Sequence, residues 1–194
     1  MIVGLTGGIA SGKSTVSNLF RKYGIEIVDA DKVAKEVSEK KESIEKISNI
    51  FGKDILDSDG KIVREKLREK AFKNRELLQE LNKIIHPQVM EYFKRKKEEN
   101  SKDEILIFDI PLLYETKIEY LCDKIIVVGV DVQKQIRRVV ARDGSSEELA
   151  KKIIFNQMPL DEKIKKADIV IMNDGTLDEL EAKVMKIYRE LKER

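Results

Sequence analysis

Gly7-Gly8-Ile9-Ala10-Ser11-Gly12-Lys13-Ser14, followed by Thr15, meets the pattern Gly-x-x-x-x-Gly-Lys-Ser through Gly7, Gly12, Lys13 and Ser14. Glycines let a backbone wrap closely round phosphate oxygens, so that successive N–H groups and a helix N-terminus point at them. A lysine at this spacing reaches the β- and γ-phosphates, and the serine hydroxyl binds Mg²⁺. The pattern fixes few positions, so its surroundings decide. The apolar stretch Ile2-Val3-Gly4-Leu5 precedes it as a strand, and a helical pattern over 12–23 follows, with Gly24 placed to end that helix. Gly8, Ile9, Ala10, Ser11, Gly12, Lys13, Ser14 and Thr15 are therefore the expected contacts to ATP, Lys13 with a catalytic role and Ser14 as a metal ligand.

Outward from this loop, β-branched apolar runs alternate with longer helical patterns, the signature of βαβ units on a parallel sheet. Strands are expected over 2–5, 25–29, 105–109, 125–130 and 169–172, each bounded by polar residues as strands buried on both faces should be. A final helix is expected over 177–192. One interval breaks the rhythm. About 75 residues separate strands two and three, whereas a crossover needs only a dozen or more. An all-helical insertion over 32–102 is expected there, with a turn at Asp57-Ser58-Asp59-Gly60, inside one domain spanning 1–194.

Composition narrows the class. Apolar residues make up 41% of the 194 and are spread along the chain, enough for one buried core. The single cysteine, Cys122, permits no intramolecular disulfide. No leader is expected before the loop, and no apolar run approaches the roughly 20 residues of a membrane span. A cytoplasmic protein without a membrane partner is expected. A net charge of +2 argues against a dedicated nucleic-acid binder. That charge is uneven: residues 61–102 hold 13 Lys or Arg against 7 Glu, a local +6. Solvated helix faces explain such a run, and so does a segment that receives an anionic substrate.

Further candidates lie at strand ends, where open α/β sheets bind ligands. Strand two ends in Val28-Asp29-Ala30-Asp31. One carboxylate there can cap the next helix, the role given to Asp29, while Asp31 orients or deprotonates an attacking hydroxyl. Ile105-Leu106-Ile107-Phe108-Asp109 has the shape of a strand whose terminal acid holds Mg²⁺ directly or through water, making Asp109 a second metal candidate. Arg138 and Arg142, spaced i, i+4, share one helix face and could neutralise charge on a transferred phosphoryl group, or form a surface pair. Ser145 with Glu148 reads as a capping box opening the next helix. His86, the only histidine, cannot anchor a metal cluster, because Cys122 is the only other soft ligand. Before Pro87 it reads first as structural. Asn173-Asp174-Gly175 reads first as a turn, at a strand end where a nucleotide base could rest.

Together these residues resemble the dephospho-CoA kinases. The resemblance rests on residues 4–15, Asp29-Ala30-Asp31, Phe51-Gly52 with Asp59-Gly60 and Arg64, and Leu81-Asn82-x-Ile84-Ile85-His86-Pro87. It continues through Pro111-Leu112-Leu113-x-Glu115, Gln135-x-x-Arg138-x-x-x-Arg142-Asp143, Gln157-Met158-Pro159-Leu160, and Ala167-Asp168 to Asn173-x-Gly175. It implies an α/β P-loop NTPase of the nucleoside-kinase type: a five-stranded parallel sheet of order 2-3-1-4-5 flanked by helices, with the 32–102 insertion binding CoA and a lid over 138–160. It further implies ATP and Mg²⁺, and transfer of the γ-phosphoryl group to the ribose 3′-hydroxyl of dephospho-CoA. Asp31 is then the base, and Arg138 and Arg142 are lid arginines. Thr6, Asp31, His86, Pro111, Leu112 and Leu113 meet the substrate, while Asn173 and Gly175 lie by the nucleotide. The +6 segment gains a partner in the substrate's pyrophosphate. Ala10 stands where some members carry Gly, an exchange the loop is expected to accept without cost. A monomer or weak homo-oligomer is expected.

Three other readings share parts of this pattern. A nucleoside or nucleoside-monophosphate kinase would share the P-loop and lid arginines but lack the His86-Pro87 and Pro111-Leu112-Leu113 set. A regulatory GTPase needs Asn-Lys-x-Asp, and Asn82-Lys83 is followed by Ile84-Ile85. A nucleic-acid-dependent NTPase is disfavoured by the near-neutral charge and the lack of interleaved aromatic and basic residues.

Overall fold

The computed structural model describes residues 1–101 and 104–193. Five strands, β1 (Ile2–Gly7), β2 (Glu26–Asp29), β3 (Leu106–Asp109), β4 (Lys124–Gly129) and β5 (Ile169–Met172), form one parallel sheet in the order β2-β3-β1-β4-β5. This is the order implied by the resemblance. Central β1 is buried at every residue, which is why its sequence is an apolar run without polar alternation. The register brings the C-terminal ends into line: Leu5 pairs with Asp109, Asp29 with Asp109, and Gly7 with Val128. That shared edge is where the loop following β1 emerges.

The first helix, α1 (Lys13–Lys22), ends at Tyr23, and Gly24 follows at φ +80°, a backbone state that favours glycine. The last helix, α9 (Leu177–Lys192), begins with a full capping box between Thr176 and Glu179. Its Leu180, Val184, Ile187 and Leu191, spaced i, i+4, i+7, i+11, are buried with Val16, Leu19 and Phe20 of α1 against Val3, Leu5, Ile107, Ile126, Val128 and Ile171 of the sheet. Burial of each such side chain contributes about 1.5–3 kcal/mol.

The chain divides into two compact units, Met1–Asp29 with Glu99–Arg194, and Ala30–Glu98. The second comprises α2 (Ala30–Ser38), α3 (Lys41–Phe51), α4 (Arg64–Lys73) and α5 (Arg75–Glu99, whose last residue belongs to the first unit). It is not wholly helical. A short antiparallel bridge joins Leu56 to Ile62 around the turn at 57–60. Asp57 closes that turn, its carboxylate accepting from the amides of Asp59 (2.9 Å) and Lys61 (2.8 Å). Lys102, the end of the expected insertion, lies outside the described residues.

After β4 come α6 (Val132–Asp143), α7 (Glu147–Phe155) and α8 (Leu160–Lys165). The Asp131 side chain caps α6, and Gly144 ends it at φ +62°. The α7 cap corrects the expectation. Ser146, not Ser145, accepts from the Leu149 amide (3.2 Å), so Glu148 is one residue too early to complete a box. Of two adjacent serines, the one nearer the helix took the cap.

Candidate active site

The loop between β1 and α1 is shaped first by its own backbone. Ser11 N–H donates to the Gly8 carbonyl (3.1 Å), and the amides of Thr15 and Val16 donate to that of Gly12 (3.0 and 3.2 Å). Gly12 sits at φ +91°, and a Cβ there would collide with the Asn173 side-chain amide. At Gly7 a Cβ would lie 2.6 Å from the Val128 carbonyl oxygen and 2.7 Å from Ser11 Oγ. Ala10 also has a positive φ, +56°. The methyl is therefore not free of cost, since an L-residue in the left-handed region is disfavoured by roughly 1–2 kcal/mol.

Side chains from distant parts of the chain hold the loop's carbonyls. Gln135 Nε2 on α6 donates to Ile9 O (2.8 Å), and Asn173 Nδ2, just past β5, donates to Ser11 O (2.8 Å). The Arg138 guanidinium donates to Asn173 O (3.1 Å) and, at longer range, to Ala10 O (3.4 Å) and Ser11 O (3.5 Å). Buried Gln135 and Asn173 thus act as struts for the loop.

Lys13 pairs with Asp109 Oδ1, while Ser17 Oγ donates to Oδ2 (2.6 Å). Each oxygen of that buried carboxylate accepts from a protein group, so in this structure Asp109 holds Lys13 and α1 in place. Ser14 is exposed at the start of α1. Among the described residues no three His, Cys, Asp or Glu side chains cluster as a metal cage. The exposed Ser14 hydroxyl is an oxygen donor of the kind Mg²⁺ takes, since that ion keeps several waters and binds through few protein oxygens and substrate phosphates.

The expected substrate positions separate. Thr6 is fully buried and its hydroxyl donates to Pro111 O (3.0 Å), so it tethers the turn after β3. Leu113 is also fully buried, a core residue, whereas Leu112 is exposed and Pro111 intermediate. Asp31 is exposed in the first turn of α2, two residues past the end of β2. His86 and Pro87 are exposed inside α5. The two arginines diverge despite their common face. Arg142 grips Asp143 with two bonds (Nε 2.6 Å, Nη2 2.9 Å), which hold the Asp143 carboxyl below the usual range and the guanidinium above its own. Gly175 is exposed, and a Cβ there would collide with the Glu179 carboxylate of the α9 capping box.

One group at this edge escaped the sequence reading. Lys163 of α8 is fully buried, its ammonium paired with Glu115 Oε1 (2.8 Å) and donating to Pro111 O (3.2 Å) and Gly7 O (3.5 Å). The signal was present: in Leu160-Asp161-Glu162-Lys163-Ile164-Lys165, helical spacing puts Lys163 on the same face as Leu160 and Ile164.

A family model described as dephospho-CoA kinase matches residues 1–179. The chain is 51% identical over 184 residues to a dephospho-CoA kinase of Fusobacterium nucleatum subsp. nucleatum, covering 95% of each. It is 48% identical over 180 residues to one of Bacillus thuringiensis subsp. konkukian, covering 91% of this chain and 90% of that one. Among solved structures, a dephospho-CoA kinase from Campylobacter jejuni superposes with a TM-score of 0.75 at 28% identity, covering 100% of this chain and 98% of that one. With a match this long, and a parallel sheet carrying a nucleotide loop on its central strand, the chain belongs to the dephospho-CoA kinase family.

Proposed function

We propose that this protein passes the γ-phosphoryl group of ATP to the ribose 3′-hydroxyl of dephospho-CoA, giving CoA and ADP over the loop at residues 8–15. ATP-dependent phosphorylation of dephospho-CoA is the reaction of its family, and the family match over residues 1–179 favours it above a nucleoside or nucleoside-monophosphate kinase on the same fold. The observation that carries the local chemistry is the loop itself, whose lysine sits at the C-terminal edge of β1 with its carbonyls bound from behind by Gln135, Asn173 and Arg138.

Phosphoryl transfer asks the protein for positioning and charge stabilisation more than for covalent chemistry. Lys13 would exchange Asp109 for the β- and γ-phosphates, with Asp109 and Ser17 keeping the base of α1 in place. Mg²⁺, when bound, supplies neutralisation of phosphate charge, and the exposed Ser14 hydroxyl would be its protein ligand. Asp31 would accept the proton of the attacking hydroxyl; its support is its place beyond the end of β2. Arg138 and Arg142 would supply positive charge to the transferred group from a lid spanning 138–160. The helical unit would hold the acceptor, its basic stretch facing the pyrophosphate and His86 lining the site, with Leu112 and Pro111 contributing apolar surface. Thr6 and Leu113 would serve that surface from beneath. The protein would work in the cytoplasm as a monomer or weak homo-oligomer, without nucleic acid; no described helix is long and apolar enough to cross a membrane.

The test is ADP release from ATP with dephospho-CoA, adenosine, AMP or RNA offered in parallel. Dephospho-CoA alone should raise the rate. Equal stimulation by AMP or adenosine, or none by dephospho-CoA above background hydrolysis, overturns the reading.

A further inference from the structure

Among the described residues, Lys163 is the lysine with no exposed surface, and no arginine matches it. An ammonium stripped of water needs its protons accepted, and here Glu115 Oε1 at 2.8 Å and Pro111 O at 3.2 Å lie in the usual range, with Gly7 O at its outer limit, 3.5 Å. These come from separate parts of the chain. Gly7 is the last residue of β1 and the first of the phosphate loop. Pro111 opens the turn after β3, and its carbonyl also accepts the Thr6 hydroxyl (3.0 Å). Glu115 Oε1 additionally accepts the Met158 amide (3.0 Å), between α7 and α8. A continuous polar chain thus runs Thr6–Pro111–Lys163–Glu115–Met158 beneath the site.

A buried ion pair is poor glue. Its desolvation cost offsets its attraction, and an apolar pair of similar volume often leaves a fold as stable or more so. Paired with Glu115 at 2.8 Å, Lys163 presents a dipole rather than a free charge to its surroundings, so its field falls off more steeply with distance than that of a lone ammonium. What an apolar side chain could not do is bind the Glu115 and Pro111 oxygens at once and reach, more weakly, the Gly7 carbonyl at the start of the phosphate loop. We infer that Lys163 is a positioning residue for phosphoryl transfer: it fixes the start of the phosphate loop, the Pro111 turn and the segment leaving α7 in one register. Donor and acceptor are then presented in a common frame. This rests on the reading above, in which the loop holds ATP and the Pro111 turn adjoins the acceptor.

The experiment uses the full chain with two variants. The double variant Lys163→Met with Glu115→Gln removes both charges, leaves none unpaired and keeps an acceptor for the Met158 amide. Lys163→Arg keeps the charge but replaces a compact three-donor head with a planar fork. Each is first shown folded by its thermal transition. The expected result is a split: kcat for dephospho-CoA phosphorylation falls about 10²-fold in the double variant and about tenfold in Lys163→Arg, while the Kd for ATP changes less than about threefold. A folded variant of either kind whose kcat stays within about threefold of wild type overturns the inference and makes Lys163 a packing residue. A parallel loss in ATP affinity overturns it too, in favour of a simple strut for the loop. If the unaltered protein does not phosphorylate dephospho-CoA, it is the functional reading that fails, and the two failures are told apart by that control.

Discussion

Replacing Arg138 by Ala separates two jobs that its position makes possible. In the structure the guanidinium donates to three neutral carbonyls, and only the bond to Asn173 O, at 3.1 Å, falls inside the usual N–H···O range. Those to Ala10 and Ser11, at 3.4 and 3.5 Å, are marginal. A hydrogen bond from a charged donor contributes about 1.5–3 kcal/mol, so one good bond and two weak ones amount to about 2 kcal/mol of loop stabilisation. Expressed wholly in the loop's hold on nucleotide, that is about 30-fold in Kd. A guanidinium that meets the transferred phosphoryl group is worth far more, about 10³- to 10⁵-fold in kcat. We expect Arg138→Ala to lower kcat at least about 10³-fold while the Kd for ATP rises no more than about 30-fold. Coupled ADP release at saturating ATP and dephospho-CoA measures the first, and calorimetric titration with ATP the second. A fall in kcat below about 30-fold, matched by the rise in Kd, would refute the catalytic role and leave Arg138 as a brace for the loop.

Asp31→Asn should lower kcat at least ~10²-fold with ATP affinity nearly intact; near-normal activity returns Asp31 to the role of a helix-end residue. Asn173→Ala removes the buried 2.8 Å bond to Ser11 O and leaves that carbonyl to the long Arg138 bond, a loss of about 1–2 kcal/mol. The Kd for ATP should rise about tenfold, and an unchanged value would show that the loop holds its shape alone. Tyr114 is buried, which with Asp168 and Glu119 nearby pushes its phenol up to about 12. The folded chain therefore keeps this proton where the unfolded chain, at about 10, has released it. Stability should fall as pH rises between about 10 and 12, and Tyr114→Phe should flatten that slope in denaturant melts; an equal slope in both proteins contradicts the assignment.

What could be read in advance was what depends on neighbours in sequence. Central strands sandwiched between helices are apolar on both faces, so 2–5, 105–109 and 125–130 stood out, whereas the edge strand 169–172, with Val170 and Met172 exposed, was legible by its β-branched run alone. The last helix was legible over 177–192 because it follows the turn at Asn173-Asp174-Gly175, and the structure adds that Thr176 and Glu179 cap it within four residues. The phosphate loop was legible because its chemistry is mostly backbone. Local rules failed where two residues competed, as at Ser145 and Ser146, and where a methyl was taken as neutral without its φ, as at Ala10. The rest is tertiary. Shared spacing put Arg138 and Arg142 on one face, but not that one would reach loop carbonyls and the other fold onto Asp143. Thr6 and Leu113 carried motif identity without exposure, and Lys163 reaches Gly7 across 156 residues of chain.

The bond from Asn173 to Ser11 spans 162 residues, joining the phosphate loop to the turn after the last strand. Synthesis is vectorial, so the loop leaves the ribosome well before Asn173 does, and its bracing is finished only afterwards. A nascent chain carrying residues 7–14 without β5 has the nucleotide motif but neither Asn173 nor the carbonyl that anchors Arg138. Contacts this distant in sequence form late, after their loop-closure entropy has been offset by other packing. Nucleotide capture is on this view graded by assembly: the first strand's loop grips a phosphate at full strength only once the sheet has closed through its fifth strand.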